Sequence, residues 1–370
     1  MEEKKKLFGT KVNDIIGGRS LSREEARDMF QQVLLDEQPD LQQGAFLAAI
    51  TAKGATPQEI AGSWEAIYEI DTIRVRPDVS GPLSDNSGTG MDALKTFNIS
   101  TAAAIVAAAD GVVMAKHGAR AITSRCGTVD MAEALGVDME CGTATVKRSI
   151  EDAGIGMFNG SSPLVHPAAL GRILSQIRFG TILNIAGSLA NPALPRHGVR
   201  GVYSKDMLVP TLSTMMEIGY QKAMVFTGSN ADGTKNMDEI STLGPTKVME
   251  SVGGEINTYI ITPEDLDIRR AREQDLLSSG DVSTETVRLL RILGGEERGP
   301  RQDIVCLNAA PLLCMNGRAS DLADGIERAR SIIENGRAVE RLRLWAKVQS
   351  RDPIAGRERL EGLIEASSVV

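Results

Sequence analysis

Cysteine is scarce in this chain. Four residues, Cys126, Cys141, Cys306 and Cys314, occur among 370, and none forms a CxxC pair. That argues against a disulfide framework or a zinc ribbon and fits a reducing cytoplasm. Histidine is scarcer still: His117, His166 and His197 have no metal-ligand spacing. Long apolar runs are missing as well. The longest, Ile99 to Ala115, is interrupted by Ser100, Thr101, Asp110 and Gly111 and falls short of the roughly 20 residues that span a bilayer. No apolar stretch follows the N-terminal lysines, so no signal peptide is readable. Excess positive charge is absent too: 41 Lys and Arg stand against 49 Asp and Glu, a net charge of −8. This balance argues against a broad nucleic-acid or anionic-membrane surface and leaves room for a local basic pocket.

What is present is ordinary globular material, with 42% hydrophobic and 24% charged residues, in a length of about two domains of roughly 100–200 residues each. The first seventy residues read as helices. Ser22 and Glu25 form a capping box, followed by Ala26, Met29, Phe30, Val33 and Leu34 at helical spacing. Thr56, Pro57 and Glu59 repeat that signal and open a helix through about Tyr68. From about residue 80, Gly-rich loops alternate with short β-branched runs and Ala-rich helices, which predicts an α/β fold with a mainly parallel central sheet. The expected strands are 111–114, 223–227 and 257–262. The expected helices are 129–135, 145–153, 210–218 and 322–335, with Gly136, Gly154, Gly219 and Gly336 just past their ends. The charged stretch from Gln349 onward reads as a tail.

Three segments carry candidate chemistry. In Asp85-Asn-Ser-Gly-Thr-Gly-Met-Asp92, Gly88 and Gly90 permit a backbone that turns several N–H groups toward one point, and the helix after Ser100 adds its partial positive charge. Such a loop holds a phosphate or diphosphate; equally it is a tight strand-to-helix turn with Ser100 as N-cap. Lys116, at an expected strand end, Arg120, Thr123, Ser124 and Arg125 supply charge and donors for a phosphorylated sugar, or form a solvated basic turn. Asp238 and Glu239 are adjacent carboxylates suited to Mg²⁺, or an exposed acidic turn.

The joint pattern resembles the anthranilate phosphoribosyltransferase family, within a wider group that includes the pyrimidine nucleoside phosphorylases. The family's GTGGD is met by Gly88-Thr-Gly-Met-Asp92, its TFNIST by Thr96 to Thr101 without change, and its KHGNR by Lys116-His-Gly-Ala-Arg120. SSKSGSAD is met loosely by Thr123 to Asp130, NLLGPLTNP by Asn184 to Pro192, and DEIS by Asp238 to Ser241. The resemblance implies a small all-helical domain, residues 1–75 with a later insertion at about 165–190, packed on an α/β domain of residues 76–164 and 191–348, with the site between them and residues 349–370 as the tail. It implies phosphoribosyl diphosphate on Gly88, Thr89, Gly90, Asp92, Thr96, Asn98, Ser100, Thr101 and Lys116, with Ser124 and Thr128 near its phosphates. Mg²⁺ would bridge the diphosphate to Ser100, Asp238 and Glu239, and Lys116, Asp238 and Glu239 would serve catalysis. A homodimer through the helical domain is a further implication.

The departures fall on the acceptor side. Ala119 stands where KHGNR has Asn, and Ser188 where LGPL has Pro. The family's carboxylate-binding Arg upstream of the TIFN-like segment aligns with Leu174, which leaves Arg172 or Arg178 as substitutes. With His117, these positions form the expected acceptor site, and the substitutions predict an aromatic amine or nitrogen heterocycle other than anthranilate. The alternatives are anthranilate itself, a nucleoside phosphorylase, and a noncatalytic nucleic-acid-binding relative. For the last of these, Arg337, Arg341, Arg343 and Lys347 would form a basic stripe on one helical face.

Overall fold

The computed structural model describes residues 2–89, 94–120 and 127–368. Four helices come first: α1 (Glu2–Ile16), α2 (Arg23–Leu34), α3 (Asp40–Lys53) and α4 (Pro57–Ile70). Both capping boxes form as the sequence predicts. Ser22 accepts from Glu25 N–H and Thr56 from Glu59 N–H, each Glu answering the cap backbone.

The sheet is built from β1 (Leu83–Ser87), β2 (Val113–Gly118), β3 (Ile155–Asn159), β4 (His197–Gly201), β5 (Lys222–Ser229), β6 (Asn236–Met237), β7 (Thr246–Val252) and β8 (Glu255–Ile261). Its order is β3-β2-β1-β4-β5-β7-β8, with β6 on β5. The first five are parallel, and β7 and β8 close one side as an antiparallel hairpin. The sheet is therefore mainly parallel, as expected.

Helices supply the crossovers: α5 (Ile99–Ala109) after β1, α6 (Thr128–Ala134) and α7 (Thr143–Ala153) after β2, α8 (Ala169–Ile177) and α9 (Ile182–Leu189) after β3, and α10 (Leu208–Glu217) after β4. Then come α11 (Glu273–Leu276), α12 (Val282–Leu293), α13 (Pro300–Met315), α14 (Leu322–Glu334), α15 (Arg337–Val348) and α16 (Pro353–Ser368). Gly136, Gly154, Gly219 and Gly336 all have positive φ beyond helix ends, a conformation that L side chains disfavour.

Alternation along β5 divides the core. Met224 and Phe226 join the cluster of α5 and α12–α15, while Ala223 and Val225 join α1–α4 and α8–α10 on the opposite face. Both faces are covered, as a parallel sheet requires. Because α5 and α10 lie on opposite faces, the sheet has a switch point between β1 and β4, where a crevice opens at the strands' carboxyl ends.

Three expectations need correction. The strand expected at 111–114 starts at Val113 and continues to Gly118, so Lys116 is inside it and not at its end. The stretch from Gln349 is no loose tail. Leu360 of α16 is fully buried, and the Gln349 side chain bonds both the N–H and the carbonyl of Met157, each at 2.9 Å. Nor do the three arginines form a free basic stripe: Arg337 binds Ala109 O and Asp110, Arg341 binds Ala153 O, and Arg343 binds Glu340 and Glu361, while Lys347 is exposed. No helix among the described residues is long and apolar enough to cross a membrane.

Candidate active site

Gly88, Thr89, Ser100 and Lys116 of the predicted donor residues gather around the carboxyl end of β1. Gly88 and Thr89 follow β1, and Thr89 Oγ1 donates to Asp238 Oδ2 at 3.1 Å. Asp238 and Glu239 are buried, with 7% and 8% exposure, so the exposed acidic turn is excluded. Backbone closeness holds them there. A Cβ on Gly88 would lie 2.5 Å from Asp238 Oδ2, and one on Gly201, at the end of β4, would overlap the Asp238 main chain. On Gly228 of β5 it would overlap the Glu239 carbonyl. At Gly201 and Gly228, where backbone is met, glycine is required by approach and not by turn geometry.

The first turn of α5 faces the same loop. Its N-cap is Asn98 and not Ser100, which sits one residue inside the helix. Asn86 Nδ2 donates to Ser100 O at 2.8 Å, so the start of α5 is fastened to β1. Thr101 is fully buried and its hydroxyl has no partner among the described residues. Thr96 forms an isolated bridge with Leu277, and Thr128 opens α6 beside Gly118. Gly90, Asp92 and Ser124, and with them Met91, Thr123 and Arg125, lie outside the described residues. Arg120 donates to Asp130, Glu133 and Glu140, which fixes it in an acidic cluster.

Lys116 departs most from expectation. It is 1% exposed, and Nζ donates to both the carbonyl and Oδ1 of Asn86, each at 2.6 Å. Burial pulls its ammonium down to about 8, against the raising fields of Asp85 and Glu239. Asp85 is itself buried, and its carboxyl is pushed up by desolvation while Lys116 and Arg200 pull it down. Lys116 therefore acts through Asn86, which passes the restraint to α5.

On the acceptor side, His117 and Ser188 come together. His117 Nδ1 lies 3.3 Å from Ser188 O, and its Nε2 is 3.2 Å from Nε2 of His166. His166 Nδ1 donates to Asp71 O at 2.6 Å, so its Nε2 accepts, and the single N–H of a neutral His117 serves either Ser188 O from Nδ1 or His166 from Nε2. Burial, with His166 nearby, takes His117 down to about 3, and burial lowers His166 too. Ala119 is exposed, its carbonyl accepting from Val129 N.

The two substitute arginines do not join this group. Arg172 donates to Val33 O and Gln43 Oε1 and pairs with Asp36, all at the α2–α3 junction. Arg178 binds Ser175 O in a left-handed C-cap, and Leu174 packs in the helical core. A cation absent from the sequence reading stands there instead. Arg200, on β4, donates from Nη1 to Ser188 Oγ at 2.9 Å and from Nη2 to Ser188 O at 3.3 Å. Its signal was a lone arginine inside the run His197-Gly-Val-Arg-Gly-Val-Tyr203.

Known proteins are similar to this chain along most of its length. Residues 12–69 match the glycosyl transferase family helical bundle domain, and residues 80–339 the glycosyl transferase family a/b domain. The anthranilate phosphoribosyltransferase of Anaeromyxobacter dehalogenans is 40% identical over 335 residues, 90% of this chain and 96% of that one. The chain belongs to the anthranilate phosphoribosyltransferase family. It is accordingly an enzyme, a glycosyltransferase that moves phosphoribosyl groups. The crystal structure of the Thermus thermophilus anthranilate phosphoribosyltransferase superposes with a TM-score of 0.82 at 33% identity, covering 91% of this chain and 98% of that one. The Saccharomyces cerevisiae enzyme, solved in complex with PRPP and Mg, shares the fold, with a TM-score of 0.76 at 24% identity over 89% and 93% of the two chains. An acceptor other than anthranilate finds no support among these relatives, all of which are named for anthranilate.

Proposed function

We propose that this enzyme transfers the 5-phosphoribosyl group from phosphoribosyl diphosphate to anthranilate with Mg²⁺. The observation that carries this reading is the 40% identity to the A. dehalogenans enzyme along nearly the whole of both chains. Gly88, Thr89, Thr96, Asn98, Ser100, Thr101 and Thr128, with Gly90, Asp92 and Ser124 of the same motifs, are proposed to bind the donor. Backbone N–H groups of the β1–α5 loop and the N-terminus of α5 would receive phosphate oxygens.

Asp238, Glu239 and the Ser100 hydroxyl are the proposed metal ligands. Two buried carboxylates fit Mg²⁺, which takes one or two protein carboxylates and completes its shell with phosphate oxygens and water. When bound, the ion supplies charge neutralisation for the departing diphosphate.

The bond from C1 of the ribose to the diphosphate oxygen breaks with its electron pair leaving on that oxygen. The anthranilate nitrogen gives its lone pair to C1 and then releases a proton. Little base strength is required, and positioning supplies most of the rate. Lys116 contributes by holding Asn86 and thereby the start of α5. A homodimer through the helical region is part of the proposal, supported by the exposed Leu7, Ile16, Leu35 and Leu41.

The test follows loss of anthranilate fluorescence with phosphoribosyl diphosphate and Mg²⁺. Turnover that EDTA abolishes is expected. Diphosphate release with another aromatic amine but none with anthranilate would overturn the acceptor assignment.

A further inference from the structure

Arg200 has a role the donor chemistry leaves unassigned. It lies on β4, paired on both sides by β1 and β5, and is 5% exposed. Burying a guanidinium costs several kcal/mol unless an anion or a full set of acceptors offsets it. Other arginines of this chain have such partners: Arg301 pairs with Glu285 at 3.0 Å, and Arg120 with three carboxylates. Among the described residues, none places a carboxylate within 4.0 Å of Arg200; the buried Asp85 carboxyl on the neighbouring strand feels its charge from farther away. Both bonds of Arg200 go to one neutral residue, Ser188, and a guanidinium carries five N–H donors.

Its neighbours identify the ligand. Arg200 Nη2 and His117 Nδ1 approach the same Ser188 carbonyl, each at 3.3 Å, so this cation borders the group that the sequence motifs assign to the acceptor. The residue after it, Gly201, carries the Asp238 main chain, so the same strand end borders the donor group. Arg172, Arg178 and Leu174 bring no charge to this point.

We propose that Arg200 binds the carboxylate of the acceptor. This rests on the reading that the acceptor is anthranilate, whose carboxylate lies ortho to the reacting amine. Ser188 holds two N–H groups and so fixes the guanidinium plane, leaving other donors of the fork for the ligand. The opposing possibility is that Arg200 only ties the C-terminus of α9 to the sheet, where a cation is favourable.

Steady-state kinetics with Arg200→Gln at saturating donor and Mg²⁺ separate the two. The KM for anthranilate and the inhibition constant of benzoate, which has the carboxylate but no amine, should both rise at least 30-fold. The KM for phosphoribosyl diphosphate should stay within threefold. Arg200→Lys keeps the charge but loses the planar fork, so it should show the same split at about tenfold, and it serves if the Gln variant does not fold. Equal losses for donor and acceptor, or an anthranilate KM that rises without a change for benzoate, would overturn the proposal. A wild-type enzyme that uses another amine and not anthranilate would overturn the acceptor reading instead.

Discussion

Asp71, just past α4, receives the N–H of Leu170 at 2.7 Å across nearly a hundred residues of sequence. The same carboxylate takes the N–H groups of Ala168 at 2.7 Å and Ala169 at 3.0 Å, so one fully buried side chain caps the whole N-terminus of α8. Its backbone carbonyl meanwhile accepts from His166.

Asp71→Ala should therefore destabilise the enzyme by about 2 kcal/mol or more, since three N–H groups, two of them buried, lose their carboxylate acceptor. Denaturant titration measures it. Asp71→Asn, which keeps an acceptor oxygen, should lose less.

Lys116→Met should lower stability by about 3 kcal/mol, because it strands two acceptors on Asn86 and removes the cation opposing the raised Asp85 carboxyl. A surface lysine would give almost no change. A variant as stable as the wild type would show that the bonds to Asn86 are dispensable.

Acid should unfold the enzyme through its histidines. His117 titrates near 3 when folded and near 6.5 when unfolded, so between those values the unfolded chain binds more protons. Stability is complete above about pH 6.5 and falls as pH drops toward 3, by up to about 4 kcal/mol from this one group. His166 acts in the same direction. His117→Gln should flatten the pH profile of the thermal midpoint in that window.

Removing Asp238 and Glu239 together by Ala substitution should abolish the Mg²⁺-dependent part of phosphoribosyl diphosphate binding. Calorimetry with and without EDTA is the measurement. Gly201→Ala should weaken it too, because the new methyl displaces the Asp238 main chain while leaving both carboxylates in the sequence. Unchanged metal dependence in the double variant would remove these residues from the metal site.

Local signals were readable where chemistry is local. The caps at Ser22 and Thr56 and the glycines after helix ends need only near neighbours in sequence, and each is found as expected. What escaped depends on distant pairing. The depth of Lys116 follows from β2 running on to Gly118 between β1 and β3. Arg172 turns to the α2–α3 junction because α8 packs on those helices, and sequence position alone does not reveal that choice. Helix α16 escaped because its few buried apolar side chains are interspersed with charge; Leu360 is recognisable as core only once α16 is laid on α12 and α15.

Gln349 has one more consequence. β3 is the outermost strand on its side of the sheet, and its outward N–H and carbonyl at Met157 are both taken by the Gln349 amide, which the Trp345 indole holds in place at 2.9 Å. A side chain thus stands where a further strand would pair, and the last helices act as a guard against edge-to-edge association. Cutting the chain after Val348 would uncover the outward N–H and carbonyl of Met157 on the edge of a parallel sheet. Loss of those final residues should then reveal itself first as self-association, before any change at the distant crevice.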